Sequence, residues 1–250
     1  MSKDGSFILK PSDADQLGAQ LSALVASGRV EEARQFLAPV LAQRTPFPIL
    51  ERIGRALGAT DAVAIGVLLD RIADDRTEGG WVVIAGALGR QLSIGPERAL
   101  ERCRLFIVSA DIWYAADIFG DRVPGPFLLD NFEGCLRLLS PWREDPNAWV
   151  RRTVGIAAHF WAKRSRGEKS SIPQARALLA FLEPLFSERD LNAAKGIGYG
   201  LKTLGKFYPG LLSQWLPAQL RRPHRSLMLL KALTYLSPAQ RAVATKGLGR

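Results

Sequence analysis

The chain has 250 residues, 47% of them hydrophobic and 23% charged, the balance of an ordinary folded protein and not of a disordered chain. No run approaches the roughly 18 consecutive apolar residues that a membrane span requires, and the start, MSKDGSFILKPSDADQ, lacks the apolar stretch of a secretory signal, so a cytoplasmic, non-membrane protein is expected. Two cysteines, Cys103 and Cys135, make no disulfide framework. With His159 and His224 the only histidines, no cluster has metal-ligand spacing, and neither a metal nor a cofactor is expected.

Net charge is +10, and its distribution says more than its size. Residues 151–250 hold 18 Lys and Arg against 4 Asp and Glu, whereas residues 1–150 hold 16 against 20. Such a one-sided excess points to a polyanion, because clustered cations gain affinity by releasing the counterions condensed on phosphates.

The apolar spacing is helical almost throughout, and residues 1–30 read as an amino-terminal cap. Breaks fall at Gly28, Pro46 and Pro48, Gly58, Gly79-Gly80, Gly95-Pro96, Pro124-Gly125, Pro141, Pro146, Pro173, Pro209, Pro217, Pro223 and Pro238, leaving segments of roughly 10 to 18 residues. Asp61, Pro96, Asp145-Pro146 and Ser237-Pro238 read as helix starts. Leu128, Phe132, Cys135, Leu136 and Leu139 give the spacing of an amphipathic helix over 127–139, and Ala175, Leu178, Leu179, Leu182, Leu185 and Phe186 repeat it after Ser171-Ile172-Pro173. Residues 247–250 read as a frayed tail. Short loops between helices favour antiparallel neighbours stacked into a curved solenoid with a concave face; a compact orthogonal bundle is the alternative. One domain spanning 1–250 is expected, acting as a monomer.

Three segments carry side chains that a purely structural helix does not need. In Trp113-Tyr-Ala-Ala-Asp117 an electron-rich ring sits one turn from a carboxylate, a pair suited to stabilising a developing cation; the structural reading makes Trp113 core and Asp117 an exposed charge or a partner of Arg122. The second segment begins at Trp149-Val-Arg151-Arg152 and sets Arg152, His159 and Lys163 on one stripe, able to follow a phosphate backbone or simply to be solvated. His159 reads as a packing residue with no catalytic role. In the third, Lys195, Tyr199, Lys202 and Lys206 share a face, while Gly196, Gly198 and Gly200 each cost about 1 kcal/mol in a helix. A neighbouring helix or a ligand backbone approaching closely would offset that cost.

Together these segments resemble the AlkD-like DNA alkylation repair glycosylases, which are built from HEAT-like helical pairs. Trp113 and Asp117 match the family's Trp-x-x-x-Asp, Trp149 and Arg152 its Trp-x-x-Arg, and Lys195-Gly-Ile-Gly-Tyr199-Gly-Leu-Lys202 its Lys-Ala-Ile-Gly-Trp-x-Leu-Arg, over about residues 95–215. Tyr199 and Lys202 depart from the usual Trp and Arg. The resemblance implies an all-α fold of HEAT-like antiparallel repeats with a basic concave face, and a monofunctional glycosylase that releases alkylated purines such as 3-methyladenine and 7-methylguanine from double-stranded DNA without a base-flipping pocket. Asp117 would be the catalytic carboxylate, with Trp113 and Tyr199 bordering the lesion. Trp149, Arg151, Arg152, Lys163, Lys195, Lys202 and Lys206 would bind DNA, and the protein would associate with the nucleoid. A non-catalytic binder of damaged, branched or bulky-adduct DNA is the alternative.

Overall fold

A proline or a capping side chain opens most helices, and apolar residues recur at helical spacing behind it. A computed structural model describes residues 10–61 and 63–246. No strand occurs among them, and the fold is all-α. Backbone proximity divides the chain into two compact units, residues 1–123 and 124–250.

In the first unit α1 (Pro11–Ala26), α3 (Phe47–Leu57), α5 (Glu78–Gln91) and α7 (Trp113–Arg122) pack one after another in a row. Helices α2 (Val30–Ala42) and α4 (Gly66–Asp74) pack on each other and back onto that row, as does α6 (Pro96–Ala110). This two-layer order is the packing scheme of a helical repeat. Its centre is α5, where Trp81 through Ala85, then Ala87 and Leu88, are all buried, as expected of a helix covered on every side. Phe119 of α7 joins the core between Trp81 and Phe106, at ring separations of 6.1 and 6.3 Å.

The second unit repeats the scheme. Helices α8 (Pro124–Asp130), α10 (Ala148–Ser165), α12 (Leu191–Phe207) and α14 (Ser226–Leu233) form one row. Behind it lie α9 (Phe132–Leu139), α11 (Ile172–Leu182), α13 (Pro209–Gln219) and α15 (Pro238–Ala244). Trp161 anchors the core between Phe132 at 5.6 Å and Tyr208 at 5.8 Å, and the Tyr208 hydroxyl donates to Ser165 Oγ at 2.8 Å. Cys103 and Cys135 are fully buried, one in each unit, and burial pushes both thiols up.

Several boundaries differ from the sequence expectations. The helix expected over 127–139 is two, because the Asn131 side chain accepts from Gly134 N at 3.1 Å and starts α9 afresh. Four of its five apolar positions are nevertheless buried, Leu136 being intermediate. Gly79-Gly80 is no break: both lie in the first turn of α5, where the Thr77 hydroxyl accepts from Gly80 N. Pro217 lies inside α13, near enough to its end that the lost N–H costs one bond and not the helix. Helix α10 begins after Asn147, whose side chain accepts from Trp149 N and Val150 N, with Asp145 capping one step earlier. Asp61 caps the turn ahead of α4 rather than the helix itself. Ser237 and Gln240 form the reciprocal cap of α15. Within the 1–30 cap, residues 1–9 lie outside the described residues, as does the tail at 247–250.

Candidate nucleic-acid interface

The face of interest in the second unit is set by how α10 crosses α12. A Cβ on Gly196 would stand 2.5 Å from Arg152 Cγ and 2.6 Å from Arg152 O. One on Gly200 would stand 2.5 Å from Gly155 O, and one on Gly155 would collide with the Gly196 carbonyl. The crossing therefore requires glycine on both helices. Gly198 turns the other way, where a Cβ would come 3.2 Å from Lys231 Cβ of α14. Tight helix packing, and not a ligand backbone, offsets the propensity cost of these glycines.

The starts of the two helices are tied by a polar chain. Arg151 Nε donates to Glu188 Oε2 at 2.6 Å, and its Nη1 donates to Asp145 O at 2.6 Å. Glu188 Oε1 accepts from Asp190 N at 2.7 Å, and Asp190 caps α12 at Asn192 N and Ala193 N. The Glu188 carboxylate raises the Arg151 pKa further. Arg152, only 8% exposed, lays its stem on Gly196 and donates from Nη1 to Asn192 O at 3.1 Å. Both arginines are thus held against protein groups at the helix starts, and Trp149 beside them is half-buried.

Further along, α10 and α12 open into a cleft of about 690 Å³. Lys163, Arg164, Arg166, Lys202 and Lys206 line it, together with His159, Tyr199, Thr203, Phe207 and Tyr235. No acid belongs to the lining, and none of the five cations has an ion pair among the described residues. Three of the four acids of 151–250 are engaged elsewhere, Glu188 with Arg151, Glu183 with Arg222 and Asp190 in its cap, and the fourth, Glu168, is exposed in the turn after α10. Five unneutralised cations around one hollow create a positive potential that favours a polyanion over any neutral ligand.

Local backbone chemistry places these groups. Arg166 ends α10 in the left-handed conformation, φ 50° and ψ 22°, followed by Gly167 at φ 79°. That turn sits on the Phe207 backbone, where a Cβ on Gly167 would lie 2.7 Å from Phe207 O. His159 of α10 stacks on Tyr199 of α12, with centroids 4.1 Å apart and planes at 23°. Thr203 Oγ1 lies 3.1 Å from Tyr199 O and 2.7 Å from His159 Nδ1, within hydrogen-bond distance of both. Burial first, and then the charge of Lys163, lower the His159 pKa to about 4.

In the first unit, Asp111 leaves α6 in the left-handed conformation and Ile112 is extended, which makes Trp113 the first residue of α7. Trp113 is 56% exposed and meets Tyr114 edge-on at 5.9 Å, so it is not core. Asp117 follows one turn later, half-buried. Arg122 is ion-paired with Glu51 at 3.2 Å.

Of the residues singled out in the sequence, Lys163, Tyr199, Lys202 and Lys206 come together in the cleft. Lys195 is exposed on α12 but outside the lining, as are Trp149, Arg151 and Arg152. Sequence reasoning set His159 on the basic stripe without a catalytic role, and it missed Tyr235. Among the described residues no group of three or more His, Cys, Asp or Glu could hold a metal, and no helix is long and apolar enough to cross a membrane. The sequence matches the family described as DNA alkylation repair enzyme over residues 70–236, which takes in α7 and the whole cleft. No curated protein and no solved structure matches the chain.

Proposed function

Because this chain belongs to the DNA alkylation repair enzymes, we propose that it is a monofunctional glycosylase hydrolysing the N-glycosidic bond of alkylated, cationic purines in duplex DNA. The observation that carries the reading is the acid-free cleft with five unpaired cations, which suits a phosphate backbone and little else. Further support comes from the exposed Trp113 ring and the Asp117 carboxylate one turn away on α7.

The chemistry asks little of the protein. An alkylated ring nitrogen makes the purine a cation and a good leaving group. The bond from the base nitrogen to C1′ breaks, its electron pair neutralises the base, and positive charge develops on the sugar as in glycoside hydrolysis. Asp117 stabilises that charge and orients a water, which adds to C1′ and passes its proton to the Asp117 carboxylate and on to solvent. The products are the free base and an abasic sugar. Fixed electrostatics of this kind contribute about 3 to 4 kcal/mol in comparable sites. Trp113 adds on the order of 1 kcal/mol by cation–π contact with the lesion. Lys163, Lys202, Lys206 and the neighbouring arginines hold phosphates, which position the duplex without reading its sequence.

Incubating the protein with a duplex carrying 7-methylguanine or 3-methyladenine, and separating any freed base by chromatography, tests the proposal. Release that disappears in Asp117→Asn while duplex affinity stays within about threefold supports it. Tight binding with no base released by the native protein would instead establish a non-catalytic binder of damaged DNA.

A further inference from the structure

A lysine grips phosphate poorly unless something holds its stem. The ammonium is a point charge on a flexible four-carbon chain, and ordering that chain opposes binding. Lys202 and Lys206 lie one turn apart on α12, where like charges also repel. The helix by itself therefore does not fix where the two ammonium groups stand.

Tyr235 does. Its ring centroid is 5.4 Å from Lys202 Nζ and 5.5 Å from Lys206 Nζ, both within cation–π contact. Phe207, at 5.4 Å, steadies Lys206 again. No carboxylate competes for either lysine, since no acid lines the cleft. A ring facing two ammonium groups is in turn a poor seat for a cationic base, so Tyr235 belongs to the backbone-holding part of the cleft.

The ring is itself held by the turn that carries it. Helix α14 closes at Leu233, and Leu236, 3% exposed, anchors the chain just beyond Tyr235. Arg241 Nε donates to Leu236 O at 3.0 Å and its Nη2 to Thr234 O at 3.4 Å, which brackets Tyr235 on both sides. Gly205, between the two lysines in sequence, lets the end of α14 come close: a Cβ there would stand 3.0 Å from Ala232 O. The backbone of Tyr235 is thus fixed while its side chain lines the cleft and stays exposed.

We propose that Tyr235 is a positioning residue of this interface: its ring holds the ammonium groups of Lys202 and Lys206 in place for the phosphates of a DNA backbone, and gives the lysine at 202 a direction that its own stem does not. The assignment rests on the duplex-binding part of the glycosylase reading and is independent of base release. Tyr235 takes no part in the chemistry.

Affinity for an unmodified duplex, measured across a salt series, tests it. Tyr235→Leu is expected to lower affinity about three- to tenfold, the cost of ordering two long side chains on binding. The slope of log affinity against log salt should not change, because every cation is still present. Tyr235→Phe keeps the ring and stays within about twofold of the native protein. In the double variant Lys202→Gln, Lys206→Gln, adding Tyr235→Leu costs nothing more. In the free protein the ε-methylene resonances of both lysines should be shifted upfield by the ring in the native and Tyr235→Phe forms, and not in Tyr235→Leu. Equal losses in Tyr235→Phe and Tyr235→Leu would assign the effect to the hydroxyl, and a loss that persists without the two lysines would assign it to packing. Either result overturns the proposal. A native protein that binds no duplex defeats the duplex-binding reading itself, whereas native-like binding by Tyr235→Leu defeats this assignment alone.

Discussion

Gly155 on α10 and Gly196 on α12 meet backbone to backbone, and neither position has room for a methyl group. Everything the cleft presents depends on this crossing, because it sets the register that brings His159 and Lys163 opposite Tyr199 and Lys202.

Substituting alanine at the crossing should therefore be costly. Gly196→Ala and Gly155→Ala are expected to lower stability by about 3 kcal/mol or more, since the obstructing atoms are largely backbone and cannot move aside. Gly210→Ala, in the first turn of α13 with nothing within 4 Å of the added carbon, is expected to be neutral or to stabilise by about 0.5 kcal/mol. Denaturant titration of the three variants checks the contrast, and equal effects would refute it.

Arg166 trades backbone comfort for charge. A non-glycine residue in the left-handed region costs about 1 kcal/mol, and glycine is the usual occupant at this point of a helix end. Arg166→Gly should leave the melting temperature unchanged or raised while weakening duplex binding. A melting temperature several degrees lower would show that the side chain supports the fold.

Cleft cations and buried arginines should separate in their response to salt. Removing Lys206 or Arg164 is expected to reduce the slope of log affinity against log salt by roughly 0.9 each, the change that follows when one fewer phosphate is neutralised. Arg151→Ala, which breaks an ion pair whose side chains are 17% and 7% exposed, should leave that slope unchanged. It should instead cost about 3 kcal/mol of stability. Affinity measured across a salt series, with parallel melts, decides the matter.

Acid should act partly through His159. The folded imidazole is held near pH 4 against an ordinary value of 6.5, so below pH 6.5 the unfolded chain binds the proton more readily. The stabilising contribution is complete above pH 6.5, declines as pH falls, and is lost by about pH 4. Melting temperature should accordingly fall less steeply over that window in His159→Phe than in the native protein. Parallel curves would contradict the assignment.

Helical character, the all-α class and most of the breaks were legible because proline, glycine and capping residues act locally. Gly196 and Gly200 likewise signalled a close approach, since their cost in a helix demands one. What approaches them is not local: Arg152 and Gly155 lie about forty residues away in sequence. The same distance hid the stack of His159 on Tyr199 and the arrival of Tyr235 in the cleft. For Arg151 and Arg152, read in the sequence as phosphate ligands, the letters do not reveal that Glu188 and Asn192 lie beside them. The charge excess of residues 151–250 was plain from the sequence, but which of its members are left unpaired emerges only once the acids have found their partners.

The two buried sulfurs bear on how long such a protein keeps working. Methylating electrophiles attack thiolates in preference to thiols, and a cell under that stress exposes its proteins to the same reagents as its genome. Cys103 and Cys135 are shut away from solvent and held protonated, so neither cysteine offers these reagents a ready thiolate, and the chain is spared inactivation at those two atoms under the very stress that calls for it.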